Sequence, residues 1–324
     1  MKIFHGILTS VLVALCPLSS AVALETEFSS KIAVGSLLSW SFNQNATGRP
    51  DGHSMTLGID SRNNTHWIRG LHTLDSESSI ELKYTKTPTI APFIKSADRF
   101  RWTFKYNREF RQPRWLGAYG QSVIQTSFLR GEDIRSEVVT YAIKERDGSV
   151  TNVLSNRLFL QDPFFPMNLR QSGGLSATQA WSSYLQFQAL TGLAVREFFA
   201  NGQRTLNDDS STPEIEVQAL QTAFEFGSLI SLELKGTNED QKLYYSLKAE
   251  AMTPLLASQS LDGRNRVQST NIEIRAELGA NIQSWLTLRY VLGAVRNPQV
   301  FDGQQLETGI EVKIGFDKIY TSKS

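Results

Sequence analysis

The chain of 324 residues contains one cysteine, Cys16, and four histidines. A single thiol closes no internal disulfide, and no His-x-x-x-His or Cys-x-x-Cys spacing occurs, so the usual zinc patterns are absent. An excess of one charge is lacking as well, with 33 Lys and Arg against 32 Asp and Glu. Nucleic acid and other polyanions require a concentrated basic face, so no nucleic-acid partner is expected. Beyond the first residues, no stretch approaches the roughly 18 consecutive apolar residues of a membrane helix. Any role in a membrane must therefore use strands.

The N-terminus carries Lys2, an apolar run from Ile7 to Leu15, and the small-x-small site Ala21-Val22-Ala23. This order reads as a secretory signal peptide over residues 1–23, since the apolar run is too short for an anchor. Leu15 and Pro17 are poor neighbours for lipid attachment, which assigns Cys16 to the signal. Residues 24–324 then form an exported chain with balanced charge, for which the outer membrane of a diderm bacterium is the expected location.

That exported part alternates apolar and polar residues almost throughout, the period of a two-sided strand. Phe100, Trp102, Phe104 and Tyr106 alternate with Arg99, Arg101 and Lys105. Ile272, Ile274, Ala276 and Leu278 alternate with Glu273, Arg275 and Glu277, and Leu286, Leu288, Tyr290 and Leu292 run opposite Arg289. About twelve such segments can be counted, each long enough for the roughly 9–11 residues that cross a bilayer at a tilt. Glu214 to Gly236 reads as one long bent strand, and Asn201 to Pro213 as a polar loop. Segment 130–166 breaks the rhythm and reads as a long external loop holding a hairpin turned at Asp147-Gly148. Short connections alternate with longer ones, the asymmetry of outer-membrane barrels. Residues 67–76 form a connection too long for that scheme.

The fold class expected is therefore all-β, a transmembrane antiparallel up-and-down barrel. A Lys or Arg facing lipid at mid-depth costs roughly 2–4 kcal/mol, so the charged side of each strand must point inward. The lumen-lining candidates are Arg99, Arg101, Lys105, Glu109, Glu273, Arg275, Glu277, Arg289, Glu311 and Lys313. They suit the selectivity lining of a pore, or equally a polar plug whose acids and bases neutralise each other. Trp40, Trp67, Trp102, Trp115, Trp181 and Trp285 suit interfacial belts next to outer-membrane lipid.

The last alternating stretch, Glu307 to Phe316, predicts the closing strand, paired with the strand that contains Lys31. Gly309, Val312, Ile314 and Phe316 resemble the signal by which the barrel-assembly machinery recognises its substrates. Asp317 to Ser324 extends past it. Several segments, in order, resemble a bacterial family of outer-membrane barrels catalogued as a domain of unknown function: Gly35-Ser36-Leu37-Leu38-Ser39-Trp40-Ser41-Phe42-Asn43-Gln44, Lys95-Ser96-Ala97-Asp98-Arg99, Leu154-Ser155-Asn156 and Leu190-Thr191-Gly192. The resemblance implies a barrel and brings no catalytic residues with it.

No chemistry is written plainly into the chain. A barrel hydrolase needs Ser and His in hydrogen-bond reach, but Ser54 projects away from its neighbour His53. His66 and His72 fall near the long connection and read as exposed polar residues. No catalytic, metal-binding or cofactor-binding residues are expected. A channel or transporter for small solutes is the first functional expectation, with the solute open. A closed barrel of structural or adhesive role, or a barrel-embedded lipid or peptide hydrolase, stands as the alternative.

Overall fold

A computed structural model describes residues 26–43, 52–87, 90–145, 148–182, 184–200, 202–206, 212–240, 242–258, 268–298 and 304–323. The signal-peptide reading of residues 1–23 lies outside them, as do Asp147 and the loops at 44–51 and 299–303. Twelve strands form a closed antiparallel ring: β1 (Thr26–Asn43), β2 (Gly52–Arg69), β3 (His72–Thr87), β4 (Ile90–Glu109), β5 (Leu116–Thr126), β8 (Met167–Ser182), β9 (Leu185–Phe199), β12 (Ala223–Thr237), β13 (Leu243–Ala257), β14 (Asn271–Gln283), β15 (Leu286–Arg296) and β16 (Gln304–Lys323). Four more make a separate sheet: β6 (Gly131–Lys144), β7 (Val150–Gln161), β10 (Arg204–Leu206) and β11 (Ile215–Ala219).

The ring closes where the sequence places the seam, with β1 against β16 and Val34 opposite Phe316. Pairing continues from Asp317 with Ala33 to Lys323 with Glu27, so residues 317–323 belong to the closing strand and do not trail behind it. The supposed long connection at 67–76 is also corrected. β2 and β3 run on to a two-residue turn at Gly70-Leu71, where Gly70 takes φ 60°, a value glycine adopts without Cβ strain. Polar residues on both faces, Asn63 and Thr65 outward and Glu77 and Ser79 inward, hide these strand ends from a periodicity reading.

Outward positions are apolar over the middle of the ring: Ile59, Leu193, Ile230, Leu247, Ile274, Leu278, Ile310 and Val312 are all exposed on its outside. Trp115, Trp181 and Trp285 stand exposed at the short-turn end. Trp67 lies there too, facing out three residues before the Gly70 turn. Among the described side chains only the Trp102 indole is exposed near mid-strand, where its Nε1 donates to Ser76 Oγ at 3.0 Å. An apolar band with aromatics at its edge and charges inside is the architecture of an integral outer-membrane-type barrel. Among the described residues, no helix is long and apolar enough to cross a membrane.

Glu214 to Gly236 is two strands rather than one. Ile215, Val217 and Ala219 belong to β11, which pairs in parallel with β6, and the chain re-enters the ring only at Ala223. Residues 204–206, within the expected polar loop, form β10 against β11. The resulting sheet, ordered β10-β11-β6-β7, has its own core of Tyr141, Ile143, Leu158, Ile215 and Val217. A shift in the β6–β7 pairing between Ile134 and Val139 bends the hairpin, so Leu158 of its base packs in the same core as Tyr141. Two clamps fix the sheet to the ring. Asp98 accepts hydrogen bonds from the backbone of Phe128 (2.8 Å) and Leu129 (2.7 Å) and from Lys95 Nζ (2.8 Å). Gln203 accepts from the Asp162 backbone at 2.7 Å and donates back to its carboxylate at 3.2 Å.

Tyr141 is fully buried in this outer core and donates to Asp133 Oδ2 at 2.8 Å. Burial, reinforced by the Asp133 carboxylate, pushes its phenol up to about 12. The unfolded phenol ionises near 10, so the contribution to stability is full below about pH 10 and is lost as pH rises towards 12. Titration of phenolate absorbance is expected to show a late-ionising group that disappears in Tyr141→Phe. An unchanged high-pH limb in that variant would disprove the assignment.

Candidate functional site: the charged lumen

Strand alternation that buries apolar side chains in lipid sends their neighbours into the lumen, and the register fixes which of those meet. Arg101 on β4 reaches Glu273 on β14, Nη1 to Oε1 at 3.2 Å. Five strands separate β4 from β14 in either direction around the ring, so this ion pair spans the full diameter. Arg170 on β8 bonds Glu250 on β13 through both terminal guanidinium nitrogens, Nη1 to Oε1 and Nη2 to Oε2, the latter at 3.0 Å, and Lys248 Nζ lies 3.6 Å from the same carboxylate. These side chains are withdrawn from water, Arg170 being 12% and Glu250 5% exposed.

The other candidates distribute around this crossing. Glu277 meets Arg62 (3.7 Å) and Arg289 (3.5 Å). Arg99 lies 4.0 Å from Glu81 on the next strand. Arg275 shares the inward parity of Glu273 and Glu277 and has no ion pair among the described residues. Lys313 passes over Gly35 to bond Asp60 at 2.9 Å, skipping a strand; a Cβ at Gly35 would lie 2.3 Å from the lysine Cε. Glu311 pairs through its backbone with Arg289, and its side chain lies outside the described residues.

Arg170, Arg196, Glu225, Lys248 and Glu250 do not stand out in the sequence, although the same alternation marks them. Lys248 and Glu250 flank Ala249, and Glu225 separates Phe224 from Phe226. Glu225 accepts from Asn271 Nδ2 at 2.8 Å and lies 3.8 Å from Arg196. Beside it, Ala194, Leu229 and Met252 form a small apolar cluster inside the ring.

Towards the short-turn end the lumen holds a cavity of about 350 Å³. Lys105 bonds Gln188 Oε1 across it at 2.9 Å and lies 3.5 Å from Asp75, and Glu109 also lines it. His66 Nδ1 is 2.5 Å from Asp75 Oδ1, and these side chains remain 45% and 35% exposed, so the cavity is wetted. The two histidines read as exposed polar residues thus have specific partners, His72 meeting the Tyr106 hydroxyl at 2.6 Å. Ser29 stands opposite His66 in the β1–β2 register, giving a Ser-His-Asp row on three neighbouring strands. Ser29 makes no hydrogen bond to His66, so the nucleophile–base contact of a triad is not formed. The side chains of His53 and Ser54 lie outside the described residues. Among the described residues, no cluster of His, Cys, Asp and Glu has metal-binding geometry.

The chain is thus an integral membrane β-barrel of outer-membrane architecture with a charged, partly crossed lumen. No family model matches it, and no curated protein matches it. Solved structures of similar outline include an outer membrane channel from Pseudomonas putida F1, at 8% identity over 94% of this chain and 100% of that one, with a TM-score of 0.39. The NanC porin is similar at 9% identity over 93% and 100%, with a TM-score of 0.35. The translocator domain of the autotransporter NalP from Neisseria meningitidis is similar at 9% identity over 97% and 95%, also at 0.35. Similarity of this extent assigns neither solute nor partner.

Proposed function

We propose that this chain is an outer-membrane channel for small polar solutes, with the Arg101–Glu273 and Arg170–Glu250 crossing as its constriction. The observation that carries the reading is a wetted, charge-lined cavity of about 350 Å³ in the same lumen as a layer of paired charged side chains rather than a core of packed apolar ones. Mixed charge at a narrow passage favours polar solutes over ions of one sign. The extent of the crossing favours a second reading, a closed barrel that presents its outer sheet as a structural or adhesive platform. Export by the 1–23 signal to the outer membrane of a diderm bacterium belongs to this proposal. So does delivery to the assembly machinery through Gly309, Val312, Ile314 and Phe316, and membership of the uncharacterised barrel family whose ordered segments the chain resembles.

Planar-bilayer recording separates the two readings. Small, discrete conductance steps are expected from the intact barrel, and larger ones from the paired variant Arg101→Ala/Glu273→Ala, which removes the diametral bond without leaving a lone charge. A sealed bilayer after verified insertion of both proteins would decide for the closed barrel.

A further inference from the structure

The cavity at the short-turn end has one settled wall and one unsettled wall. On the settled side Asp75 holds His66 and Lys105, and Gln188 links Lys105 to Thr178, with Nε2 donating to the threonine hydroxyl at 3.2 Å. On the other side Glu233 and Lys235, consecutive inward positions of β12, line the same space, as does Glu109 at the foot of β4. None of these three has an ion pair among the described residues. Their side chains line the open cavity, and an occupant that excludes water from it must supply opposite charges in its place.

The lining selects by chemistry. Among the described residues Ile68 is its one aliphatic side chain and no Phe, Tyr or Trp ring lines it, so an apolar solute finds little surface to cover. A neutral polar solute would meet the amides of Gln186 and Asn107 but leave Glu233 and Lys235 desolvated. Those two lie on one face of one strand, two residues apart and thus ~7 Å between backbones. A molecule with an ammonium and a carboxylate close together matches both. Once Asp75 is matched to Lys105, and Glu233 and Lys235 to such a zwitterion, Glu109 remains as an unmatched acid. The volume lies in the lower part of the range for small-molecule sites, roughly 300–1,000 Å³.

We infer that this cavity binds small zwitterions of the amino-acid type, basic ones in preference to neutral ones and acidic ones least. The inference rests on the channel reading for how a solute arrives, but binding itself requires no conduction.

The test is calorimetric titration of the purified, detergent-folded barrel with L-arginine, alongside bilayer recording of the same preparation. Saturable binding of L-arginine is expected, at least about tenfold tighter than L-glutamate, the scale set by one charge-assisted contact. Argininamide, which lacks the carboxylate, and N-acetylarginine, which lacks the α-ammonium, should each bind at least about tenfold more weakly to the unaltered barrel. Glu233→Gln should abolish the penalty for acetylation, and Lys235→Gln the penalty for amidation; the ligand series stands without them should either variant misfold. Equal affinity for L-arginine and L-glutamate would overturn the site, as would absence of saturation to about 10 mM. A conducting barrel without saturable binding refutes the site and keeps the channel. A barrel that binds with this ligand order but seals the bilayer keeps the site and refutes the channel.

Discussion

Arg170→Ala is expected to destabilise the barrel by about 3–5 kcal/mol, because it strands the Glu250 carboxylate where water reaches it poorly. Glu250 is 5% exposed, and after the loss of Arg170 its remaining cation would be Lys248 at 3.6 Å. Replacing both members, Arg170→Met with Glu250→Met, should cost less than Arg170→Ala alone, since the buried carboxylate goes with its partner and the one cation that loses its contact, Lys248, is 27% exposed. Arg62→Ala is the contrast: Arg62 is 31% exposed and its contact with Glu277 is 3.7 Å long, so a change of about 0–1 kcal/mol is expected. Urea unfolding in micelles, followed by heat-modifiable mobility, measures all three. Equal losses for Arg170→Ala and Arg62→Ala would show that the crossing is hydrated and is no constriction.

Ile230→Arg is expected to cost about 2–4 kcal/mol in a lipid bilayer, the penalty for a cation near the midplane on the outside of a barrel. Ile230 is 55% exposed and sits at the middle of β12, between Leu229, which is wholly buried inside the ring, and the inward Ser231. Phe224→Arg, at the loop end of the same face, should cost about 0–1 kcal/mol because penalties fall towards the interface. Folding yield into vesicles, titrated with urea, measures the difference. Equal penalties at both sites would place Ile230 away from the bilayer midplane.

The ring was legible in the sequence because lipid and lumen impose opposite demands on alternate residues. Trp102 and Phe104 against Arg101 and Lys105 leave one orientation open, and once one strand is oriented its neighbours follow. Period-two alternation cannot show where a strand leaves one sheet for another. Ile215 and Val217 alternate like barrel residues, but they fill the outer core, and nothing local to 220–222 announces the change. Alternation assigns faces and cannot assign partners. Inward parity puts Arg101 and Glu273 in the same space, but only the order of twelve strands sets them diametrically opposite. His66 and Asp75 stayed hidden because the outward side of β2 and β3 carries Thr65 and Ser76 in place of apolar residues, so no alternation signalled a strand. Lys95 and Asp98 belong to one of the segments of family resemblance, and the structure shows what they hold. Between them they bind the backbone of 128–129, where the chain departs for the outer sheet.

The seam also dictates an order of events. Glu27 finds its partner in Lys323, so two edges remain open until nearly the whole chain is available. No shorter ring hides behind this one, because the last strand alone satisfies the free hydrogen-bonding groups of the first. Closure therefore joins the first and last strands of the ring, far apart in the sequence, the kind of contact that forms late and slowly. A chain cut before β16 would carry every transverse ion pair described above except that of Lys313 and still present two sticky edges, which makes closure of the barrel an all-or-none report on the presence of β16.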